Sequence, residues 1–302
     1  MKMLDRIHQL LDKNPDKSAV LAVGIDWHNA FDRIDPTLCV TKFIRLGLRN
    51  SLIPILIDYL SDRQMSVKYN GVVSSIHKLI GGGPQGTQLG QVSYSVANSD
   101  AGNRDNLIND APPFTIDKDD RYKYCDDMTI LELICLAGIL KDYDCWNQVP
   151  SDIRLDQKYL PPECLTTQVS LNQIAEWTNQ NLMLLNPLKS NYMMFRCSKS
   201  DFATRLAMDG KLLDRKTEVK LCGVWLTESL TWDKHISELS RNAYSRMQLL
   251  SKLKYVGVST DDLIEVYCLY IRSLLEYCAV VFHSSLTEEQ CNTLKYRPRP
   301  SV

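Results

Sequence analysis

The chain has 302 residues, with 35 Lys and Arg against 36 Asp and Glu, a net charge of −1, and 44% hydrophobic residues. That apolar content can bury a substantial core in one multi-part domain or two. The balanced charge leaves any phosphate-binding surface to local segregation of Lys and Arg. No run of 18 or more apolar residues occurs, so no membrane span is expected. Residues 1–17 are amphipathic and mixed in charge, unlike a secretory signal. Ten cysteines without a C-x-x-C pair and five histidines without H-x3-H argue against a zinc site. Reduced thiols in the cytoplasm or nucleus follow as the expectation.

In chain order, a first helix is expected over 4–11. The apolar run Val20-Leu21-Ala22-Val23-Gly24-Ile25 has strand length, and Asp26 stands where that strand meets solvent. Alone, Asp26 reads as a cap; it gains interest from acids further on. Asp35 before Pro36 suits an N-cap with proline in the first turn of a helix over 36–46, with Gly47 as its stop. Asp32 and Asp35 look structural. A second helix is expected over 51–60, then a hairpin turning at Asn70-Gly71.

Gly81-Gly82-Gly83-Pro84-Gln85-Gly86-Thr87 lets backbone approach a ligand closely, and a helix begins near Thr87 and runs to about 98. Backbone N–H groups at such a junction favour anions, although the loop matches neither the dinucleotide nor the phosphate-loop fingerprint. A flexible surface loop is the competing reading. Tyr122-Lys123-Tyr124-Cys125-Asp126-Asp127-Met128-Thr129-Ile130 reads as strand, tight turn and strand, with both acids on the turn. Adjacent carboxylates repel, and a divalent cation is the simplest neutraliser. Further on, a helix is expected over 170–184 with Leu171, Ile174, Ala175, Leu182 and Leu185 on its apolar face. Strands over 191–196, 205–208 and 219–226 complete the sheet, with a turn at Asp209-Gly210. Two long helices, 233–253 and 261–282, follow.

These blocks, in this order, resemble the catalytic core of a reverse transcriptase of the non-LTR (LINE-like) retrotransposon type. The likeness rests on Asp26-x4-Phe31-Asp32, Pro84-Gln85-Gly86 and Tyr124-x-Asp126-Asp127. It continues through Trp177-x3-Asn181-Leu182-x-Leu184-x-Asn186-x2-Lys189 and Val219-Lys220-Leu221-Cys222-Gly223-Val224-Trp225-Leu226, covering nearly the whole chain. The resemblance implies an α+β polymerase palm, its antiparallel sheet backed by helices, with partial fingers and a helical thumb. It divides the chain into an N-terminal helix left from the fingers (1–17) and a palm (18–214). The palm holds the partial fingers (35–80) and an insertion (132–168). A primer-grip-like hairpin (215–232) and a truncated thumb (233–302) follow.

By the same resemblance, the activity is RNA-directed DNA polymerisation, with an RNA template, a DNA primer and deoxynucleoside triphosphates as partners. Asp26, Asp126 and Asp127, joined by the backbone carbonyl of Ile25, would hold two Mg²⁺ or Mn²⁺ ions about 3.5–4 Å apart. Asp127 would have the weaker or indirect role. Phe31 resembles the aromatic gate under the sugar, and Gln85 with Gly86 the glutamine loop near nucleotide and template. Lys189 resembles the lysine that meets the departing pyrophosphate. Read alone, Phe31 is equally a core side chain and Lys189 a solvated one. Lys234, Arg241, Arg246, Lys252, Lys254 and Arg272 are the thumb's candidate phosphate contacts.

The sequence departs from the family pattern at His28-Asn29, Cys125, Gln91 and Ala97-Asn98-Ser99, none of them an expected metal ligand. The family's upstream fingers motifs and an endonuclease region are not found in it, so a fragment that extends primers only with that upstream segment restored is expected. A catalytically incomplete nucleic-acid-binding remnant and another metal-dependent phosphodiesterase stand as alternatives.

Overall fold

A computed structural model describes residues 2–13, 18–101, 115–124, 127–135, 158–159, 162, 165–196 and 202–295. The elements that position the site are α1 (Lys2–Asp12), β1 (Ser18–Ile25), α2 (Pro36–Arg45), α3 (Ile53–Leu60) and α4 (Gln88–Ala97). They continue with β2 (Arg121–Tyr124), β3 (Asp127–Cys135), α5 (Thr166–Gln180), β4 (Asn191–Arg196) and β5 (Asp214–Arg215). A hairpin of β6 (Glu218–Leu221) and β7 (Val224–Thr227) then precedes α6 (Asp233–Tyr255) and α7 (Thr260–Val266).

The central sheet has the order β5-β4-β1-β3-β2. Its neighbours run antiparallel except β5, which is parallel to β4. The fold is therefore α+β with a predominantly antiparallel sheet, as expected. β1 is continuously apolar because it lies at the centre with both faces covered. Leu21, Val23 and Ile25 pack with Phe43, Leu56, Leu60, Ile174 and Trp177 of the helices on one face. Val20 and Ala22, on the alternate face, pack with Ile7 and Leu10 of α1 and with Trp232, Ile236 and Phe282. The N-terminal helix thus lies against the sheet in the same cluster as α6. Arg6 ties it to the segment before β2 through a two-pronged ion pair with Asp120, at 2.7 and 3.1 Å.

Local chemistry accounts for several ends. Asp35 accepts from Leu38 N–H at 2.8 Å and starts α2. Thr87 accepts from Gly90 N–H at 3.0 Å and starts α4. Asn70 and Gly71 have φ of 47° and 81° in the expected hairpin turn. Behind the sheet, fully buried Lys42 meets Asp100 at 2.6 Å and lies 4.9 Å from the centre of the Trp177 ring. Burial pulls the Lys42 pKa down, and Asp100 opposes it.

Several expectations change. The helix expected over 170–184 is α5, shifted toward the N-terminus at both ends. Glu132 of β3 accepts from the N–H groups of Thr166 and Thr167 at 2.9 and 2.8 Å, so it caps the first turn. At the other end Asn181 donates its Nδ2 to Trp177 O, and Leu182 takes φ 55° and is 59% exposed. Leu182 is therefore outside the helix and off its apolar face. Residues 132–135 and 166–168 of the expected insertion belong to β3 and α5, and most of the rest lies outside the described residues.

Of the stretch 205–208, Ala207–Met208 pairs with Lys211–Leu212 outside the central sheet, and the stretch 219–226 does not join that sheet either. It forms the separate β6–β7 hairpin, because Cys222 and Gly223 (φ 45° and 83°) make a two-residue turn that folds it back on itself. The second long helix is also broken. After α7 come a π-helical segment (Tyr267–Arg272) and short helices Ser273–Glu276 and Ala279–Phe282, with Cys278 left-handed at φ 54°. At that break Tyr277 donates its hydroxyl to Cys222 O at 2.9 Å, and its ring covers Gly223. No helix among the described residues is long and apolar enough to cross a membrane.

Candidate active site

β1 and β3 end together. Ile25 pairs with Met128, so Asp26 and Asp127 are the next residues on neighbouring antiparallel strands. Facing Cα atoms in such strands lie roughly 4.5–5.5 Å apart. Asp26 is partly buried and Asp127 exposed. Asp127 is paired with Tyr124 as the first residue of β3, which corrects the placing of both acids on the turn. A strand ladder reached one residue further than the sequence suggested. The turn itself, Cys125 and Asp126, lies outside the described residues.

A short segment after α5 holds Asp26 in place. Trp27 bridges Leu185, and His28 N–H donates to Leu184 O at 2.8 Å. Asp26 Oδ2 accepts from Asn186 Nδ2 at 3.0 Å, and Asp26 N–H donates to Ser190 Oγ at 3.0 Å. Neither Asn186 nor Ser190 was singled out from sequence, because nothing local links them to a carboxylate 160 residues away. Asn186 did fall within a quoted motif, and that was the available signal. Lys189 is exposed on the same turn, where its N–H donates to Asn186 O at 3.2 Å.

The glycine-rich loop packs against the continuation of β1. Gly82 N–H donates to Ile34 O and Gly83 N–H to Phe31 O, each at 2.8 Å. A Cβ on Gly82 would lie 3.0 Å from the Asp32 backbone, and its φ is +86°, so only glycine permits this approach. Arg63 fastens the loop from outside through the carbonyls of Gly81 and Gly82 at 2.7 and 2.6 Å. Gln85 is exposed, and its Nε2 donates to Asp32 Oδ1 at 2.9 Å. Gly86 follows it on the surface. Phe31 is half-buried and stacks on Tyr94 of α4, with ring centres 4.2 Å apart.

Carboxylate and carbonyl oxygens are the donors that Mg²⁺ and Mn²⁺ prefer. Asp26, Asp127 and the Ile25 carbonyl match that chemistry at the ends of two neighbouring strands. Among the described residues no group of three His, Cys, Asp or Glu is placed to hold a metal, and Asp126 falls outside them. Beside Asp127, a cavity of about 430 Å³ opens between the β2–β3 hairpin, the β6–β7 hairpin and α1. Tyr122, Leu221, Val224 and Val281 give it an apolar wall.

The cations expected to meet phosphate from a thumb are mostly engaged within the chain. Lys234 pairs with Glu218 at 3.1 Å and lies over the Trp225 ring. Arg241 pairs with Glu238, Arg272 pairs with Glu276 at 2.7 Å, and Arg246 stacks 4.3 Å from the Tyr270 ring centre. Lys252 and Lys254 are exposed near the end of α6.

A helix-backed antiparallel sheet with carboxylates ending neighbouring strands, beside a glycine-rich loop, is the arrangement expected of a polymerase palm. No protein-family model matches the chain. It is 26% identical over 274 residues to the probable RNA-directed DNA polymerase from transposon BS of Drosophila melanogaster, a match covering 88% of this chain and 27% of that protein. The RNA-directed DNA polymerase from mobile element jockey of D. melanogaster is 22% identical across 80% of the chain and 23% of its own length. Its counterpart in D. funebris is 23% identical across 85% and 25%. The curated homologues of this chain are thus RNA-directed DNA polymerases of mobile elements, and it spans about a quarter of their length. A solved telomerase from Candida tropicalis, in complex with a TWJ fragment of telomeric RNA, aligns over 93% of the chain and 42% of its own. Its 13% identity and TM-score of 0.43 are too distant to carry an argument.

Proposed function

We propose that this chain is the palm and thumb core of a retrotransposon RNA-directed DNA polymerase, which adds deoxynucleotides to a DNA primer on an RNA template. The observation that carries the reading is Asp26 and Asp127 ending adjacent strands, beside the loop tethered to Phe31 and Asp32. The carboxylates of Asp26, Asp126 and Asp127, with the Ile25 carbonyl, would hold two Mg²⁺ or Mn²⁺ ions. Such ions, when bound, stabilise charge on the entering and leaving oxygens of an in-line phosphoryl transfer.

The remaining roles belong to the chain's own side chains. Phe31, braced by Tyr94, presents an aromatic face on which a deoxyribose would sit. Gln85 and Gly86 line the approach of nucleotide and template. Lys189, exposed on the turn that grips Asp26, is the cation for the departing pyrophosphate. The β6–β7 hairpin would support the primer, residues 35–80 would serve as partial fingers, and α6 onward would serve as the thumb. The work would be done in the cytoplasm or nucleus.

Extension of an oligo(dT) primer on poly(rA), with Mg²⁺ or Mn²⁺, tests this. With an upstream fingers segment supplied, wild type is expected to extend, whereas Asp26→Asn and Asp126→Asn are expected to lose extension. Equal extension by wild type and Asp126→Asn overturns the catalytic assignment. Binding of the hybrid without extension by any form would favour a non-catalytic remnant.

A further inference from the structure

Asp26 leaves the sheet in the grip of one short turn. Its N–H donates to Ser190 Oγ at 3.0 Å, its carbonyl accepts from Asn186 N–H at 2.9 Å, and its Oδ2 accepts from Asn186 Nδ2 at 3.0 Å. Ser190 is 1% exposed, and its hydroxyl donates to Asn186 O at 2.9 Å. That hydroxyl has one proton, so towards Asp26 it serves only as acceptor. An ionised carboxylate only accepts, so the Asn186 amide must present its nitrogen. Each hydrogen bond in this ring therefore has one direction, and the Ser190 hydroxyl links the Asp26 N–H to the Asn186 backbone carbonyl.

We propose that Asn186 and Ser190 are positioning residues that aim the Asp26 carboxylate for a divalent cation, an inference that rests on reading Asp26 as a metal ligand. The carboxylate torsion of aspartate is intrinsically broad, and Asp26 is only partly buried at the end of its strand. A fixed amide donor narrows that torsion before any cation arrives. Hydrogen-bond partners of this kind set metal affinity by about 10–100-fold. Ser190 acts one step further back, by fixing the backbone from which the carboxylate projects.

Mn²⁺ binding to the full chain, followed by loss of the free-ion electron paramagnetic resonance signal with no nucleotide present, is the test. Asn186→Ala is expected to weaken Mn²⁺ binding by about tenfold or more, and Ser190→Ala in the same direction by less. Thr178→Val removes the acceptor of Trp27 Nε1, a contact of 3.3 Å that steadies the same segment without touching Asp26. It is expected to leave Mn²⁺ affinity unchanged, and an equal loss there would mean general loosening and overturn the inference. If Asp26→Asn abolishes binding while Asn186→Ala and Ser190→Ala stay within about twofold of wild type, the positioning role fails alone. If wild type binds no Mn²⁺, or Asp26→Asn binds as well as wild type, the metal-ligand reading itself fails. Should Asn186→Ala not fold, Ser190→Ala decides, since it deletes a single buried oxygen.

Discussion

Gly90 shows how tightly single residues constrain the candidate site. A Cβ there would stand 1.9 Å from Pro84 O and 2.9 Å from Thr87 Oγ1, the hydroxyl that caps α4. Gly90→Ala is expected to cost about 1–3 kcal/mol through forced backbone movement, read as a lower urea midpoint. It should also weaken the Gln85–Asp32 contact, because the same loop carries Gln85. The glycine content of this loop was plain in the sequence, but the partner of Gln85 was not, since Asp32 lies 53 residues away. Phe31 is similar. Its aromatic character was legible, whereas the Tyr94 ring that braces it depends on how α4 packs.

Elements were most legible where turn and cap chemistry is local. Asn70-Gly71 and the Asp35-Pro36 start of α2 follow from backbone preferences of those residues alone. The stretch 261–282 was expected as one helix because no proline or glycine interrupts it. Its break instead accompanies the reach of Tyr277 to the β6–β7 turn. That hairpin docks on α6 through His235, whose Nδ1 accepts from Trp225 N–H at the long distance of 3.5 Å. The ring also meets Phe282 edge-on, 4.7 Å between centres. Burial foremost, and then Lys220, pulls the His235 pKa below its ordinary value. The docked state therefore prefers the neutral ring. Its contribution to stability is complete above about pH 6.5, the unfolded value, and declines as the pH falls through the lower folded value. The melting temperature should drop as the pH is lowered below about 6.5, and less so in His235→Phe, which keeps the apolar contact and cannot be protonated. An identical drop in both proteins would remove His235 from the account.

At the scale of the whole molecule, a net charge of −1 is matched by cations already engaged inside the chain. Glu238 and Glu276 each hold an arginine in an ion pair within the chain, Arg241 and Arg272 respectively. Binding of an RNA–DNA hybrid, measured by fluorescence anisotropy across a salt series, is expected to show a shallow salt dependence. Lys252→Gln and Lys254→Gln should each flatten the log–log slope by about one, and Glu238→Gln and Glu276→Gln should each steepen it by about as much. Unchanged slopes in all four variants would place the nucleic acid elsewhere than along the thumb.

The amino-acid sequence by itself determined the chemical inventory: an apolar strand closed by Asp26, a glycine-rich loop, a tandem acid pair and the turns between short strands. Those are properties of neighbouring residues, set by side-chain period and backbone preference. The tertiary structure alone decided that Asp26 stands beside Asp127, that Asn186 and Ser190 grip it, and that the β6–β7 hairpin stays outside the sheet. Each of these depends on strand register and on hydrogen bonds between residues far apart in the chain, where a shift of one position would turn every carboxylate to the opposite face.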